Sequence, residues 1–324
     1  MRRIAAITLG ALGLFAVATP GLAQDYPNRT VTLIVPYPAG GPTDETARVV
    51  ANSLSKKFGQ SFIVENVTGG STIVATNKVA KATADGYTLL VHNLQIAANI
   101  TLFKDLPFNT EKDIAPVGLI NKNPLVLVGR PGLAPNTLKE LIALMKTEHL
   151  KEALPGFGTT GHLTSALFAQ EAKVTIDHIP YRGAAPAMTD LLGDHVDLFI
   201  GTPQSIYPQV KAGKLKAYAI TSKEKSPLLP GVESMVDVLG PKFEIVYWQG
   251  MFVPAATPKA VIKTLNAALQ EAVADPELLK VWATEGFSAF PKDQLSQAAA
   301  VAFMNSEIAR WGQVIRDNNI HPTQ

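Results

Sequence analysis

The chain alternates between short apolar runs and segments whose apolar residues recur every three or four positions. Apolar runs bounded by Gly, Pro, Asn or Ser predict strands, and the periodic segments predict helices, some of them followed by Gly as at Gly59 and Gly286. This alternation predicts α/β layers with mainly parallel sheets. The predicted strands are residues 31–35, 62–65, 88–92, 117–120, 125–129, 177–179, 198–200 and 215–221, and the predicted helices are 43–58, 73–81, 137–148, 162–171, 184–193, 258–274, 276–285 and 293–318.

Two places along the chain indicate a crossing between structural units. Residues 117–123 lead directly into a new strand at Leu125, and residues 215–222 end a unit before the Pro- and Gly-rich segment 227–231. Two crossing segments form a hinge, and a hinge between lobes creates a cleft. We therefore predict lobe 1 from residues 24–122 and 223–324, and an inserted lobe 2 from residues 123–222.

The first 23 residues have the pattern of a secretory signal peptide. Arg2 and Arg3 precede an apolar run, and small residues ending at Ala23 predict cleavage before Gln24. No later segment reaches the roughly 18 uninterrupted apolar residues that a membrane span needs. We therefore expect a soluble, exported protein.

Composition narrows the function classes further. The 324 residues include no Cys, so disulfides and thiolate chemistry are excluded and stability must come from the core. Removal of a leader that contains Arg2 and Arg3 changes 29 basic and 27 acidic residues to 27 of each. A neutral mature chain argues against a nucleic-acid or anionic-membrane surface.

The most informative stretch is residues 30–48, TVTLIVPYPAGGPTDETAR, in which a strand passes through a Pro/Gly loop into a helix start. Gly40 and Gly41 allow the backbone to approach a ligand, and the first N–H groups of the helix are unpaired and point outward. This junction predicts an anion site. Asp44 in the first turn would repel an anion, so we expect it to order the loop.

A second Gly-rich loop, PGFGTTG at residues 155–161, opens another predicted helix and matches G-x-G-x-x-G. A dinucleotide site is disfavoured because residues 151–154 are too short and charged to predict a strand, and because Asp177 follows too closely. The loop still suits a carboxylate or phosphate, with Thr159 and Thr160 adding hydroxyl donors. A third junction, IPYRGAAP at residues 179–186, offers Arg182 as a cation, although Arg182 could instead pair with Asp177.

Enzymatic motifs are missing from the sequence. It contains no G-x-S-x-G, no P-loop and no H-E-x-x-H, and its six histidines show no i, i+4 metal-ligand spacing. His162 lies near a helix start, where a structural hydrogen bond is the default expectation. A Ser/His/Asp triad assembled in space stays open. We expect no catalytic residue, no metal and no cofactor.

Several motifs together resemble a known family. They are VPYPAGGPTDETAR, VEN at residues 64–66, DGYTLL at 85–90, Gly158 with His162, HIPYRGAAPAMTDLLG and WQGMFVPAATP. In order and extent they resemble the Bug family, the TctC-type receptors of tripartite tricarboxylate transporters. The resemblance implies a type II periplasmic-binding-protein fold, with two α/β lobes joined by crossing strands and a ligand cleft between them. It also implies a periplasmic location, a small organic carboxylate as the ligand, and delivery to one large and one small integral membrane subunit. A monomer suffices for this delivery, and we expect a monomer.

The resemblance also implies which residues face the ligand. One loop and Asp44 come from lobe 1, a facing loop and His162 come from lobe 2, and the Y-[KR]-G-x motif lies beside the cleft. Gln95, Gly201 and Thr202 follow strand ends, a typical pocket position. The expected ligand-binding residues are Tyr37, Pro38, Ala39, Gly40, Gly41, Asp44, Gln95, Gly158, Thr159, Thr160, His162, Tyr181, Arg182, Gly183, Ala184, Gly201 and Thr202.

Departures from the family pattern bear on the choice of ligand. Where relatives often carry Arg-Pro-Gly-Ala-Gly-Gly, this chain has VTGGST at residues 67–72, and where many carry an Asp it has Gly201 and Thr202. An Asp could bind a ligand ammonium group, so its loss favours a dicarboxylate or an aromatic acid over an amino acid. A sensory receptor for a signalling kinase and a secreted enzyme acting on a carboxylate or ester are the alternatives.

Overall fold

The structure is a computed structural model that describes residues 26–321, so the predicted signal peptide lies outside the described residues. Its strands form two six-stranded mixed sheets. The strands are β1 (Val31–Val35), β2 (Phe62–Asn66), β3 (Thr88–Asn93), β4 (Ile114–Pro124), β5 (Val126–Gly129), β6 (Leu150–Leu154), β7 (Ile176–Pro180), β8 (Leu198–Gly201), β9 (Lys216–Ile220), β10 (Glu233–Ser234), β11 (Val246–Pro254) and β12 (Ser288–Ala289).

Helices connect and cover these strands. They are α1 (Pro42–Phe58), α2 (Ile73–Ala80), α3 (Gln95–Leu102), α4 (Thr110–Asp113), α5 (Leu138–Met145), α6 (Thr160–Ala172), α7 (Ala184–Leu192), α8 (Pro203–Lys211), α9 (Met235–Leu239), α10 (Lys259–Val273), α11 (Pro276–Glu285) and α12 (Gln297–Asp317). Within residues 26–321, no helix combines the length and apolarity needed to cross a membrane.

The two sheets have the same internal order. In the first, β1 lies between its parallel neighbours β2 and β3, and β3 is followed by the antiparallel β11 and then β4. In the second, β6 lies between its parallel neighbours β7 and β8, and β8 is followed by the antiparallel β5 and then β9. The strand-to-helix junctions after β1 and β6 are therefore topologically equivalent.

The chain crosses between the sheets beside Thr221. Its N–H donates to Leu125 O at 2.9 Å, and its hydroxyl donates to Ile245 O at 2.6 Å and accepts from Leu125 N at 2.8 Å. One buried side chain thus joins the segments that lead into β5, out of β9 and into β11. The lobe boundary between residues 222 and 223 stays a prediction; by pairing, β10 belongs with β9 in the second sheet.

Several elements differ from the sequence prediction. Residues 151–154 are too short and charged to predict a strand with certainty, and in the structure they belong to β6 at the centre of the parallel part of the second sheet. The charge is compatible with a central strand because Glu152 is buried and hydrogen-bonded to Ser165. Among the longer elements, β11, α3 and α8 were also missed. The long buried strand β11 lacks the alternation of polar and apolar residues that predicts a half-exposed strand.

Candidate functional site

Predicted site residues gather at the carboxyl ends of parallel strands in both sheets. The first loop follows β1 and Gln95 follows β3, while the second loop follows β6 and residues 201–202 follow β8. Ligands of α/β proteins bind at this edge because loops and helix N-termini meet there. The strand order therefore places most of the predicted residues at one edge of each lobe.

Asp44 holds the first loop in place. Its side chain is buried, and Oδ2 accepts from Gly40 N–H and from Arg48 Nε–H, both at 2.9 Å. Oδ1 accepts from the amide of Asn66 at 2.9 Å, and the same amide also donates to the carbonyl oxygen of Tyr37. The carboxylate therefore joins the loop, the first turn of α1 and the end of β2.

These contacts keep Asp44 ionised. Burial alone raises the pKa of a carboxyl group, but the hydrogen bonds from Arg48, Gly40 and Asn66 outweigh it and lower the pKa of Asp44 below its ordinary value. The carboxylate of Asp44 is therefore paired with side chains and backbone of its own lobe.

His162 holds the second loop in an equivalent way. Its Nδ1 accepts from the N–H of Gly158 at 3.0 Å, and its ring packs edge-to-face against Phe157. Burial, and next the neighbouring His178, lower the pKa of His162 to about 4, so the ring is neutral at pH 7. A neutral imidazole whose Nδ1 accepts carries its proton on Nε2.

The two junctions share their geometry. Gly40 has φ +79° and Gly158 has φ +72°, a left-handed conformation that favours glycine. Each donates its N–H to the side chain four residues later, which is the third residue of the following helix. The two lobes thus carry the same loop, closed by a carboxylate in one and by an imidazole in the other.

Gln95 connects the two loops across the lobes. Its Oε1 lies 3.0 Å from the hydroxyl of Tyr37, which also lies 2.8 Å from Asn93 Oδ1. Its Nε2 forms a long hydrogen bond of 3.5 Å to the carbonyl oxygen of Phe157 in the second loop. A Cβ atom on Gly158 would come within 2.5 Å of Leu102 in α3, so the second loop packs directly on lobe 1.

Backbone donors remain available in both loops. Within residues 26–321, the N–H groups of Ala39 and Gly41 in the first loop and of Thr160 in the second form no hydrogen bond. The hydroxyl of Thr159 is used within its own loop, where it donates to Gly156 O and accepts from His162 N. The donor set therefore consists mainly of backbone groups at two helix N-termini.

The remaining predicted residues have other contacts. Tyr181 donates its hydroxyl to Asp190 of α7 at 2.6 Å, so this hydroxyl is committed to its own lobe. Arg182 is exposed and, among residues 26–321, forms no hydrogen bond or ion pair, including none with Asp177. Gly183 precedes α7 with φ +118°, and Ala184 is the first residue of that helix. Gly201 and Thr202 are buried at the end of β8.

Four polar residues of lobe 1 support the site but are not among the expected ligand-binding residues, although Asn93 belongs to the polar stretch 92–95 at a strand end. Asn66 holds Asp44 and Tyr37, and Asn93 binds Tyr37, while Thr43 and Tyr247 join their hydroxyls at 2.9 Å and both contact Asn93. Asn66 was visible in the sequence only as part of VEN. Tyr247 is 154 residues from Asn93, so no local pattern could connect them.

A spatial Ser/His/acid cluster does exist, between α6, β6 and β7. Ser165 donates to Glu152 and contacts His178 Nε2 at 2.8 Å. However, Ser165 is 0 % exposed, so its hydroxyl cannot reach a substrate in this structure. Within the described residues, no cluster of three or more His, Asp or Glu side chains could hold a metal ion.

The G-x-G-x-x-G motif now has a strand before it and a helix after it. Asp177, however, pairs with Lys151 near the amino end of β6, whereas the glycines follow the carboxyl end of that strand. Because an acidic residue that binds a ribose must lie beside the glycine loop, this arrangement does not fit a dinucleotide.

The family of the chain follows from comparison with known proteins. Residues 46–320 match the sequence profile of TctC, described as the tripartite tricarboxylate transporter family receptor. The chain belongs to this family. The periplasmic binding protein BugD is 32 % identical with a TM-score of 0.84, over 92 % of this chain and all of that one. This confirms the expected Bug-type fold with two α/β lobes.

Two further structures of this family type contain small acids. Rpa4515 of Rhodopseudomonas palustris, solved with adipate, is 30 % identical with a TM-score of 0.85, over 92 % of this chain and all of that one. MatC of the same organism, solved with bound malate, is 32 % identical with a TM-score of 0.82, over 90 % of this chain and all of that one. The chain is therefore a solute-binding receptor of a family whose members work with membrane transporters.

Proposed function

We propose that this receptor captures a small organic carboxylate between its two Gly-rich loops and delivers it to a tripartite transporter in the membrane. The observation that carries the proposal is the pair of equivalent junctions, each with unpaired backbone N–H groups at a helix N-terminus, connected through Gln95. Such donors bind a carboxylate without a dedicated ion pair.

The mechanism is a hinge closure. A carboxylate that accepts hydrogen bonds from both loops has more partners in the closed form than in the open form, so it shifts the equilibrium toward closure. The crossing segments beside Thr221 are the natural pivot, since three of them meet at one side chain. The closed monomer then delivers its ligand to one large and one small membrane subunit.

A dicarboxylate is the favoured ligand class, with an aromatic acid next. Gly201 and Thr202 offer no carboxylate to a ligand ammonium at the end of β8, and the buried Asp44 is already paired with Arg48. The neighbours solved with adipate and malate support the same class. The signal peptide and the periplasmic location are part of this proposal.

A thermal-shift screen followed by calorimetry tests the proposal. Adipate, malate, benzoate, aspartate and adipamide are compared, because a ligand that binds the folded state raises its apparent stability. We expect a dicarboxylate to bind and the uncharged adipamide not to bind. Absence of binding by every carboxylate would refute the proposal.

Substitutions at matched glycines test the loop assignment. Gly40→Val should abolish most of the affinity, because a branched side chain at positive φ distorts the loop and blocks backbone approach. Gly213→Val is the control, since Gly213 has φ +70° and equally open surroundings but lies after α8. Equal loss of affinity in both variants would contradict the assignment.

A further inference from the structure

In the second loop the N–H group of Gly158 is committed to a side chain, unlike that of Thr160. It donates to His162 Nδ1 at 3.0 Å. A ligand oxygen that takes this N–H must displace the imidazole nitrogen, which would leave a buried acceptor without a partner. A proton on Nδ1 resolves this conflict because it changes the nitrogen from an acceptor into a donor.

The surroundings keep His162 neutral until that exchange occurs. His162 is only 5 % exposed. Its ring packs edge-to-face against the rings of Phe157 and His178, with centroid distances of 5.1 and 5.4 Å. Burial and His178 lower the pKa of His162 to about 4. In the absence of ligand, nothing within the described residues gives His162 an ion-pair partner.

Ser165 and Glu152 lie beside the neighbouring ring of His178. Burial raises the pKa of Glu152 to about 8, so this carboxyl is protonated at pH 7. Ser165 donates its hydroxyl to Glu152, so its oxygen can accept from His178 Nε2–H at 2.8 Å. Burial lowers the pKa of His178, so a charge on His162 meets a neutral ring beside it.

Most charged groups of the packed elements have partners elsewhere. Asp177 on β7 opposes the burial that lowers the pKa of His178, but it lies toward the amino end of the strand, near His149. On or against α6 and α7, Glu171 binds Lys242, Asp190 accepts from Tyr181, and Gln170 contacts Asn318 beside Arg316 and Asp317 of α12. Arg182, just before α7, is exposed and has no partner within the described residues. From α3 come the uncharged Gln95 and Leu102.

We propose that the receptor binds one proton together with its carboxylate, at Nδ1 of His162, as the N–H of Gly158 transfers from this nitrogen to the ligand. The proton comes from solvent, the imidazole becomes an imidazolium, and its positive charge offsets the carboxylate. Glu152 and Ser165 are positioning residues that act through His178. The inference rests on the proposed function and assigns a proton site to the same cleft.

The expected proton uptake follows from the rise in the pKa of His162 that a neighbouring opposite charge causes. Such a charge raises a pKa by about 1–3 units, so a bound carboxylate would move His162 from about 4 to about 6. Binding at pH 6 then takes up about 0.5 proton, and binding at pH 8 takes up almost none. The contribution of His162 to affinity rises about 50-fold as the pH falls from 8 to 4.

Calorimetry in buffers of different ionisation enthalpy measures this uptake. Adipate is titrated into the protein at pH 6 and pH 8, with malate as the probe if adipate gives no heat. The variant His162→Asn keeps an acceptor near the Nδ1 position and does not titrate, and subtracting it removes the ligand's own protonation. His195→Asn, at an exposed position after α7, is the matched control.

We expect wild type and His195→Asn to take up about 0.5 proton more than His162→Asn at pH 6 and to match it at pH 8. Equal proton numbers in wild type and His162→Asn would overturn the proton site but leave carboxylate binding intact. If no carboxylate binds, the proposed function fails and the proton site fails with it.

A second measurement covers the case in which His162→Asn does not fold. The ¹⁵N shifts of the His162 ring in the wild type distinguish a neutral ring from an imidazolium. An imidazolium at pH 6 with adipate and a neutral ring without adipate support the proposal. A ring that stays neutral in both states overturns it.

Discussion

The two Gly-rich loops have the same backbone conformation and different acceptor side chains. In each, a glycine with positive φ donates its N–H to the third residue of the next helix. The acceptor is an ionised carboxylate in lobe 1 and a neutral imidazole in lobe 2. The fold therefore fixes the position of the acceptor, and the residue type at that position determines its pKa.

The surroundings explain why each lobe uses its own acceptor. Asp44 is ionised because Arg48 and Asn66 reach it from the same lobe. His162 has aromatic neighbours, Phe157 and His178, which suit a neutral ring. Acid should therefore weaken the second loop while the first is still intact.

The largest expected effect comes from removing the carboxylate. Asp44→Ala leaves the donors of Gly40, Arg48 and Asn66 without their acceptor, at a cost of about 3 kcal/mol in the free energy of unfolding. Asp44→Asn keeps an acceptor oxygen and should cost about half as much. Urea denaturation measures both. Equal losses in the two variants would show that charge, and not the acceptor geometry, holds the loop.

The second effect is loss of stability in acid through His162. The unfolded chain protonates this histidine near pH 6.5 and the folded chain only near pH 4. The unfolded state binds more protons in this window, so stability falls as the pH falls through it, by up to about 1.4 kcal/mol per pH unit.

Comparison with His162→Asn isolates this contribution. Glu152, whose pKa is raised from 4.5 to about 8, acts in the opposite direction because its protonated form is favoured in the folded state. Denaturation of wild type and His162→Asn at several pH values removes such shared contributions. Parallel pH profiles of the two proteins would contradict a neutral, buried His162.

A smaller effect distinguishes the surroundings of the two glycines. The new Cβ of Gly40→Ala lies in open space, so only the unfavourable positive φ weakens the binding free energy of adipate, by about 1 kcal/mol. Gly158→Ala has the same unfavourable φ, and its Cβ also clashes with Leu102. The binding free energy of adipate should therefore weaken by about another 1 kcal/mol. Calorimetry measures both, and adding Leu102→Ala should recover part of the second loss. No recovery would exclude the contact as the cause.

The smallest effect is expected at Arg182. Because it is exposed and has no ion-pair partner within the described residues, Arg182→Ala should change the free energy of unfolding by less than about 0.5 kcal/mol. If Arg182 attracts the ligand, Arg182→Ala should associate more slowly than wild type at low salt, and the difference should disappear at high salt, where the charge is screened. Stopped-flow binding tests this, and a salt-independent change would point to direct contact instead.

Local features of the site could be predicted from the sequence. The junction after β1 is continuous in sequence, so its strand, Gly-rich loop and helix start were all recognisable. The role expected for Asp44 matches its contact with Gly40, only four residues away. The ligand contacts of these residues stay a prediction.

Long-range features could not be predicted in the same way. Asp44 and Asn66 are 22 residues apart, Tyr37 and Gln95 are 58 apart, and Thr43 and Tyr247 are 204 apart. The sheet pairing brings them together, and no local pattern encodes it. The equivalence of the two loops was equally hidden, because it lies in strand order and φ angles and not in a repeated sequence.

Backbone NMR during a titration with adipate tests most directly whether the two loops together form a carboxylate clamp. The amide signals of Ala39, Gly41 and Thr160, whose N–H groups form no hydrogen bond within residues 26–321, should show the largest downfield shifts, all with one dissociation constant, and adipamide should leave them in place. Shifts confined to one loop, or centred elsewhere on the protein, would contradict the clamp.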